Sequence, residues 1–241
     1  MPRINYYLPS GTRLTGTTTI LSRFKDSGGL LHWAWKQGDE GKTLYEERDR
    51  AATAGSIAHD LIEATIKRGD VDRVRQRAHF EDQQRELALA EKGFEGFLRW
   101  QEQTRVEILH TEVSLVSACP EYGGTLDAIG RINGRLIMLD WKTSNGIYED
   151  YLCQVAAYRN LWESGGANCA ARGKGSAPLF DIRGLEAFGQ PIEEVHLLRV
   201  DKQWGGFHHH SWPLELLDLA WDVFRRMAEL YPLAKRLKKA L

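Results

Sequence analysis

Apolar residues recur every three or four positions through most of the first hundred residues and then shift toward a period near two. A helical N-terminal part is therefore expected to hand over to a sheet. Helices are predicted over 17–24, 30–36, 55–67 and 83–103, with breaks at Gly and Asp clusters. Within 55–67 the residues Ala58, Leu61, Ile62 and Thr65 share one face, and within 83–103 Leu87, Ala90, Phe94, Phe97 and Leu98 do the same. The run VEILHTEVSLVS over 106–117 is β-branched and partly alternating, as a strand should be. The following GGTLDAIGRINGRLIMLDWKTS reads as two strands joined at Asn133-Gly134, a dipeptide that tolerates the positive φ of a two-residue hairpin turn. Residues 149–162 return to helix, with Tyr151, Val155, Tyr158 and Trp162 spaced by three and four. The Gly- and Ala-rich 165–190 has no period and is expected to be a loop or insertion, before strands at 195–200 and 207–212 and a long helix from 214. With no internal repeat and no linker, the expectation is one domain of the α/β (α+β) class, a mixed central sheet flanked by helices. Its parts would be a mainly helical 1–104, a hairpin and helix in 105–164, and closing strands and helix in 191–241.

Composition narrows the classes. The chain has 241 residues, 42% of them hydrophobic and 27% charged, which suits a packed soluble fold and excludes a disordered or fibrous one. Apolar runs such as 136–139 fall far short of the roughly 20 residues a bilayer demands, so no membrane role is expected. Residues 1–11 are polar and turn-rich, without the apolar run of a signal peptide, so a cytoplasmic location is expected. Cys119, Cys153 and Cys169 are odd in number and far apart, in keeping with a reducing compartment. They cannot supply the four thiolates of an iron–sulfur cluster or a closed zinc site. A net charge of −1 gives no bulk attraction for nucleic acid, so any such partner must be met by a local site. Only the end of the chain is strongly basic: Arg225, Arg226, Lys235, Arg236, Lys238 and Lys239 stand against Glu229 alone, either as a solvated helix end or as phosphate contacts.

The chemistry gathers at the second arm of the hairpin. Side chains alternate along a strand, so Asp140 and Lys142 share a face and Trp141 points away. Antiparallel pairing about Asn133-Gly134 brings Asp127 beside Asp140. Two carboxylates held a few ångströms apart repel unless a cation or protons neutralise them, and hard oxygen ligands select Mg²⁺ or Mn²⁺. Lys142 would then orient or deprotonate a water and offset transition-state charge. The plainer alternative is that Asp140 and Lys142 form a surface salt bridge.

The ordered strings GTLD (Gly124 to Asp127), LDWKTS (Leu139 to Ser144) and QVAAY (Gln154 to Tyr158), with GSIAH (Gly55 to His59) upstream, resemble the PD-(D/E)XK nuclease superfamily, in its RecB-like exonuclease branch. TGTTTILSRF followed by LLHWAW is similar to the opening of the mitochondrial genome maintenance exonuclease and its phage relatives. The resemblance implies a restriction-endonuclease-like core and a Mg²⁺- or Mn²⁺-dependent nuclease acting on DNA ends or single strands. It implies His59, Asp127, Asp140 and the Trp141 carbonyl as metal ligands and Lys142 as the catalytic lysine, with Gln154 and Tyr158 facing the site. Glu112 matches an acidic position often seen in the branch. On the residues alone Tyr158 lies on the apolar stripe of its helix and reads equally as core, His59 reads equally as a surface or satisfied histidine, and Glu112 reads equally as exposed. Many relatives carry a four-cysteine iron–sulfur cluster, which this chain cannot. The expected activity is an exonuclease of recombination or repair, phage-encoded on one reading, with a recombination protein as a candidate partner and an oligomeric state that the sequence does not report. A structure-specific endonuclease and a non-catalytic DNA-binding accessory subunit are the alternatives.

Other signals are weaker. Consecutive His208, His209 and His210 on a strand point to opposite faces and cannot readily ligate one ion. Trp33, Trp35 and Trp204 are candidates for base stacking or for core, and Arg172, Lys174 and Arg183 for phosphate contacts. The sequence contains no phosphate-binding G-x-x-x-x-G-K-[ST] loop.

Overall fold

The computed structural model describes residues 4–25, 28–39, 44–164, 171–172, 182–201 and 204–240. Two short strands, β1 (Asn5–Tyr7) and β2 (Arg13–Leu14), precede the helices α1 (Thr17–Phe24), α2 (Gly28–Asp39), α3 (Leu44–Ile66), α4 (Val71–Phe80) and α5 (Gln84–Thr104). The strands β3 (Glu107–Ala118), β4 (Glu121–Ile132) and β5 (Arg135–Thr143) form a meander, followed by α6 (Glu149–Glu163) and β6 (Ala171–Arg172). β7 (Glu194–Val200), β8 (Phe207–Trp212) and α7 (Leu214–Ala240) close the chain. The main sheet runs β3-β4-β5-β7-β8, antiparallel except for the parallel β5–β7 pair, whose crossover carries α6. This is the mixed sheet flanked by helices expected from the sequence, with the core of a restriction-endonuclease-like fold.

Alternation sorts the layers. Leu136 and Met138 of β5 face the core closed by α1, α6 and α7, whereas Ile137, Leu139 and Trp141 face the core closed by α3, α4 and α5. The β4–β5 turn takes positive φ at both Asn133 (52°) and Gly134 (81°), as the dipeptide predicts. Two expectations need correction. Residues 1–11 hold β1, which pairs with β2 and with β6 in a small separate sheet, rather than turns alone. The stretch 165–190 is likewise not wholly loop: β6 and a single 3₁₀ turn (Ile182–Gly184) lie inside it. Cys169 and Lys174 lie outside the described residues, as do the side chains of Trp33, Arg172 and Arg183. Glu163, at the end of α6, accepts from Arg159 Nε at 2.8 Å and from the Ile192 backbone N–H at 2.8 Å, joining the two flanks of that stretch.

Cys119 is exposed and Cys153 buried, both as free thiols. Among the described residues, no helix is long and apolar enough to cross a membrane.

Candidate active site

Asp127 sits on β4 and Asp140 on β5. The pairing of Ala128 with Leu139 carries forward to set the two acids side by side. Asp127 Oδ2 accepts the Trp141 backbone N–H at 2.9 Å, which fixes its carboxylate against the next strand. Asp140 is fully buried, and Lys142 Nζ lies 2.6 Å from its Oδ2. The pair is thus not a surface salt bridge; it lies in the interior, with 15% of the Lys142 side chain reaching solvent. The ammonium approaches without good hydrogen-bond alignment, and both Asp140 oxygens remain buried without a hydrogen-bond partner. Tyr151 lies beneath it, with its ring centroid 5.5 Å from Nζ.

The charges follow from this burial. Desolvation raises the Asp140 carboxyl to about 6; Lys142 pulls it back down and Asp127 adds repulsion. Asp127 is also raised by burial, against the opposing pull of Lys142 and the Trp141 hydrogen bond. Burial works against the Lys142 ammonium, but Asp140 and Asp127 outweigh it and hold its pKa above the usual lysine value. Lys142 therefore keeps its proton, which suits charge stabilisation and water positioning better than proton abstraction.

α3 delivers His59 to this spot because of Gly55. A Cβ at Gly55 would meet Thr143 Oγ1 at 2.8 Å, so only glycine lets the helix lie so close to the end of β5. One turn later the His59 ring packs edge-on to Trp141, with centroids 6.3 Å apart. Burial, then Lys142, lowers the imidazole pKa to about 4, while a hydrogen bond to the Trp141 backbone pushes the other way. Its Nδ1 is buried without a partner. A neutral imidazole with an unused lone pair is in the state a metal needs.

α6 covers the site from the other face. Gln154 Nε2 donates to Tyr158 Oη at 2.9 Å, and Tyr158 is 5% exposed. Tyr158 is both core and site-facing: burial, Asp140 and Asp127 all push its phenol well above the usual pKa. Gly124 makes room for it, since a Cβ there would lie 2.5 Å from Tyr158 Cε1.

Glu112, opposite Asp127 in the β3–β4 register, is half-buried in a left-handed backbone conformation (φ 54°). Burial, then Asp127 and Glu63, raise its pKa to about 7. Glu63 is a residue that sequence reasoning did not single out. It lies one turn beyond His59 on α3, pairs with Lys67, and adds repulsion at both Glu112 and Asp127. The available signal was the i, i+4 spacing from His59, which puts both on one helix face.

The residues suit a hard divalent cation: two carboxylates, a backbone carbonyl and an imidazole, with orphaned oxygens on Asp140 and an orphaned nitrogen on His59. Among the described residues, no three His, Cys, Asp or Glu side chains converge closely enough to enclose an ion by themselves; the cation that Asp140 meets is Lys142.

The other sequence candidates lie elsewhere. His208 and His210 stack on one side of β8 with centroids 6.3 Å apart, and His209 turns to the other side, against His196. The three therefore do not share an ion. Trp35 and Trp204 are 65% and 55% exposed.

The family model of the PD-(D/E)XK nuclease superfamily matches residues 4–228. A solved structure titled "Crystal structure of SSO0001" aligns with 76% of this chain and 73% of its own, at 16% identity and a TM-score of 0.33. No curated protein matches the chain.

Proposed function

Since the chain belongs to the PD-(D/E)XK nuclease superfamily, we propose that it is a Mg²⁺- or Mn²⁺-dependent deoxyribonuclease, acting as an exonuclease on DNA ends or single strands. The observation that carries this reading is Asp140, a fully buried carboxylate whose oxygens lack hydrogen bonds and whose neighbours are Asp127 and the Lys142 ammonium. A group so costly to bury ionised is retained where a ligand supplies the missing charge.

Asp127, Asp140, the Trp141 carbonyl and His59 are the groups that would hold the cation. When bound, it would polarise a phosphoryl oxygen and acidify a water. Lys142, still protonated, faces the charge that develops on the phosphate and orients the attacking water. Tyr158 and Gln154, hydrogen-bonded to each other, hold the α6 side of the site in place. Glu63 repels both Asp127 and Glu112, so ionising these carboxyls together strengthens the site's demand for a cation. A role in recombination or repair, a phage origin and a cytoplasmic setting rest on the RecB-like motifs and the free cysteines.

The test is a time course on 5′- and 3′-labelled linear DNA beside a covalently closed circle, with Mg²⁺ or Mn²⁺, for the wild type and Lys142→Ala. An exonuclease degrades the linear DNA and leaves the circle; cutting of the circle means an endonuclease on the same core. If no substrate is cut with either ion, the chain is a DNA-binding accessory and the enzyme reading is overturned.

A further inference from the structure

The Lys142 ammonium has two close neighbours, and they respond differently to a divalent ion. One is the Asp140 carboxylate, with Oδ2 at 2.6 Å. The other is the face of Tyr151, in the first turn of α6, with its ring centroid 5.5 Å from Nζ. A carboxylate cannot serve both cations equally. A hard divalent ion carries twice the charge, takes the oxygens and repels the ammonium. The aromatic face offers such an ion no oxygen, yet it attracts an ammonium through its quadrupole, most strongly where water is excluded.

Tyr151 is held so that this face stays where it is. Its hydroxyl reaches the Ser144 side chain, just past the end of β5. Ser144 is itself fixed on three sides: Oγ donates to the Gly146 carbonyl at 2.7 Å, its backbone N–H donates to the Val200 carbonyl at 3.1 Å, and its carbonyl accepts from Arg199 Nη1 at 2.7 Å. From the outer side Tyr148 meets the Tyr151 ring edge to face, with centroids 5.4 Å apart. Lys25, ion-paired with Asp150 at 2.7 Å, lies over the Tyr148 ring in turn. We propose that Tyr151 is a positioning residue, whose ring keeps the Lys142 ammonium in the site when a divalent ion draws Asp140 away from it. The proposal rests on the nuclease reading and assigns a role within it.

Two measurements on the full chain test it. In the metal-free protein the Lys142 methylene protons next to Nζ should be shifted upfield by the ring current of Tyr151, with Lys142→Arg identifying the signal, and the shift should remain when Mg²⁺ is added without DNA. In cleavage assays Tyr151→Leu should lower kcat by about 10- to 30-fold while KM changes less than about two-fold. Tyr151→Phe, which keeps the ring, should stay within about three-fold of the wild type. Tyr151→trifluorophenylalanine keeps the shape but strips negative charge from the ring face, so it should be as slow as Tyr151→Leu; it decides the matter alone if Tyr151→Leu fails to fold. An upfield shift that is missing or vanishes with Mg²⁺, a Tyr151→Leu enzyme as fast as the wild type, or a fluorinated ring as effective as Tyr151→Phe overturns the proposal and leaves the nuclease reading intact. A wild type that cuts no DNA overturns the nuclease reading, and this role with it.

Discussion

His196 on β7 and His59 on α3 are both held below the usual imidazole pKa by burial, yet their surroundings differ in one respect that separates structure from chemistry. Both nitrogens of His196 are engaged, Nδ1 with His209 at 2.7 Å and Nε2 with Glu194 at 3.0 Å. Its ring lies 5.0 Å from that of His209 and nearly parallel to it. His59 has a buried Nδ1 with no partner, beside an Asp140 that is ion-paired with Lys142 but whose oxygens accept no hydrogen bond. His196 thus has both ring nitrogens satisfied within the chain, and the β4–β5 end leaves the His59 imidazole open. A buried polar group left open costs stability, so the open network is where a ligand is expected.

The sharpest test of that contrast is activity. Lys142→Ala or Asp140→Asn should cut the cleavage rate by at least about 10²- to 10³-fold with the melting curve preserved. A fold lost together with activity would make the pair structural, like His196. Next, His59→Ala should raise the Mn²⁺ concentration needed for half-maximal cleavage by roughly 10- to 100-fold. His196→Phe should leave that concentration unchanged and instead cost about 1–3 kcal/mol of stability by stranding Glu194 and His209. If both variants shift the metal requirement alike, the distinction fails. Gly55→Val, which pushes atoms into Thr143, should cost about 1–3 kcal/mol and impair metal binding through a displaced α3.

Acidity separates the regions by sign. Asp140 is raised to about 6, so the stability it contributes to the metal-free fold is complete below its unfolded value near 3.8 and fades as pH rises through about 6. Added Mn²⁺ should therefore raise the melting temperature more at pH 7.5 than at pH 5. His209 is lowered to about 4, so its contribution is complete above 6.5 and fades as pH falls toward 4. His209→Gln should flatten the loss of melting temperature over that acidic window, the smallest of these effects. An unchanged acid slope would remove His209 from the account.

The sequence exposed the parts governed by short-range rules. The Asn133-Gly134 turn, the alternation that separates Asp140 and Lys142 from Trp141, and the helical stripes of α5 and α6 appear where their periodicities put them, except that Leu98 at the margin of the α5 stripe is exposed. Elements whose stability depends on distant partners were not legible. β1 is three residues long and exists through pairing with β2 and β6, which no local pattern announces. α4 carries only a short stripe, Val71, Val74 and Ala78 at i, i+3 and i+7 behind its Asp70 cap, among arginines and other polar residues, so its packing on the second core is faint in the sequence. At the site, Glu63 was hidden because its proximity to Asp127 is made by the packing of α3 on the sheet, through a glycine whose role appears only once Thr143 is opposite it.

The clasp that Glu163 makes with the Ile192 amide has a consequence for how this scaffold can vary. The chain leaves α6 and re-enters ahead of β7 at neighbouring points, held together by this one carboxylate. Between those points β6 pairs with β1, Phe188 packs on Trp162 and Glu186 meets Arg131, so the stretch is anchored along its length as well as at its base. A change of length there leaves the frame around Asp127, Asp140 and Lys142 undisturbed only if these anchors, and the glutamate at the base, are kept.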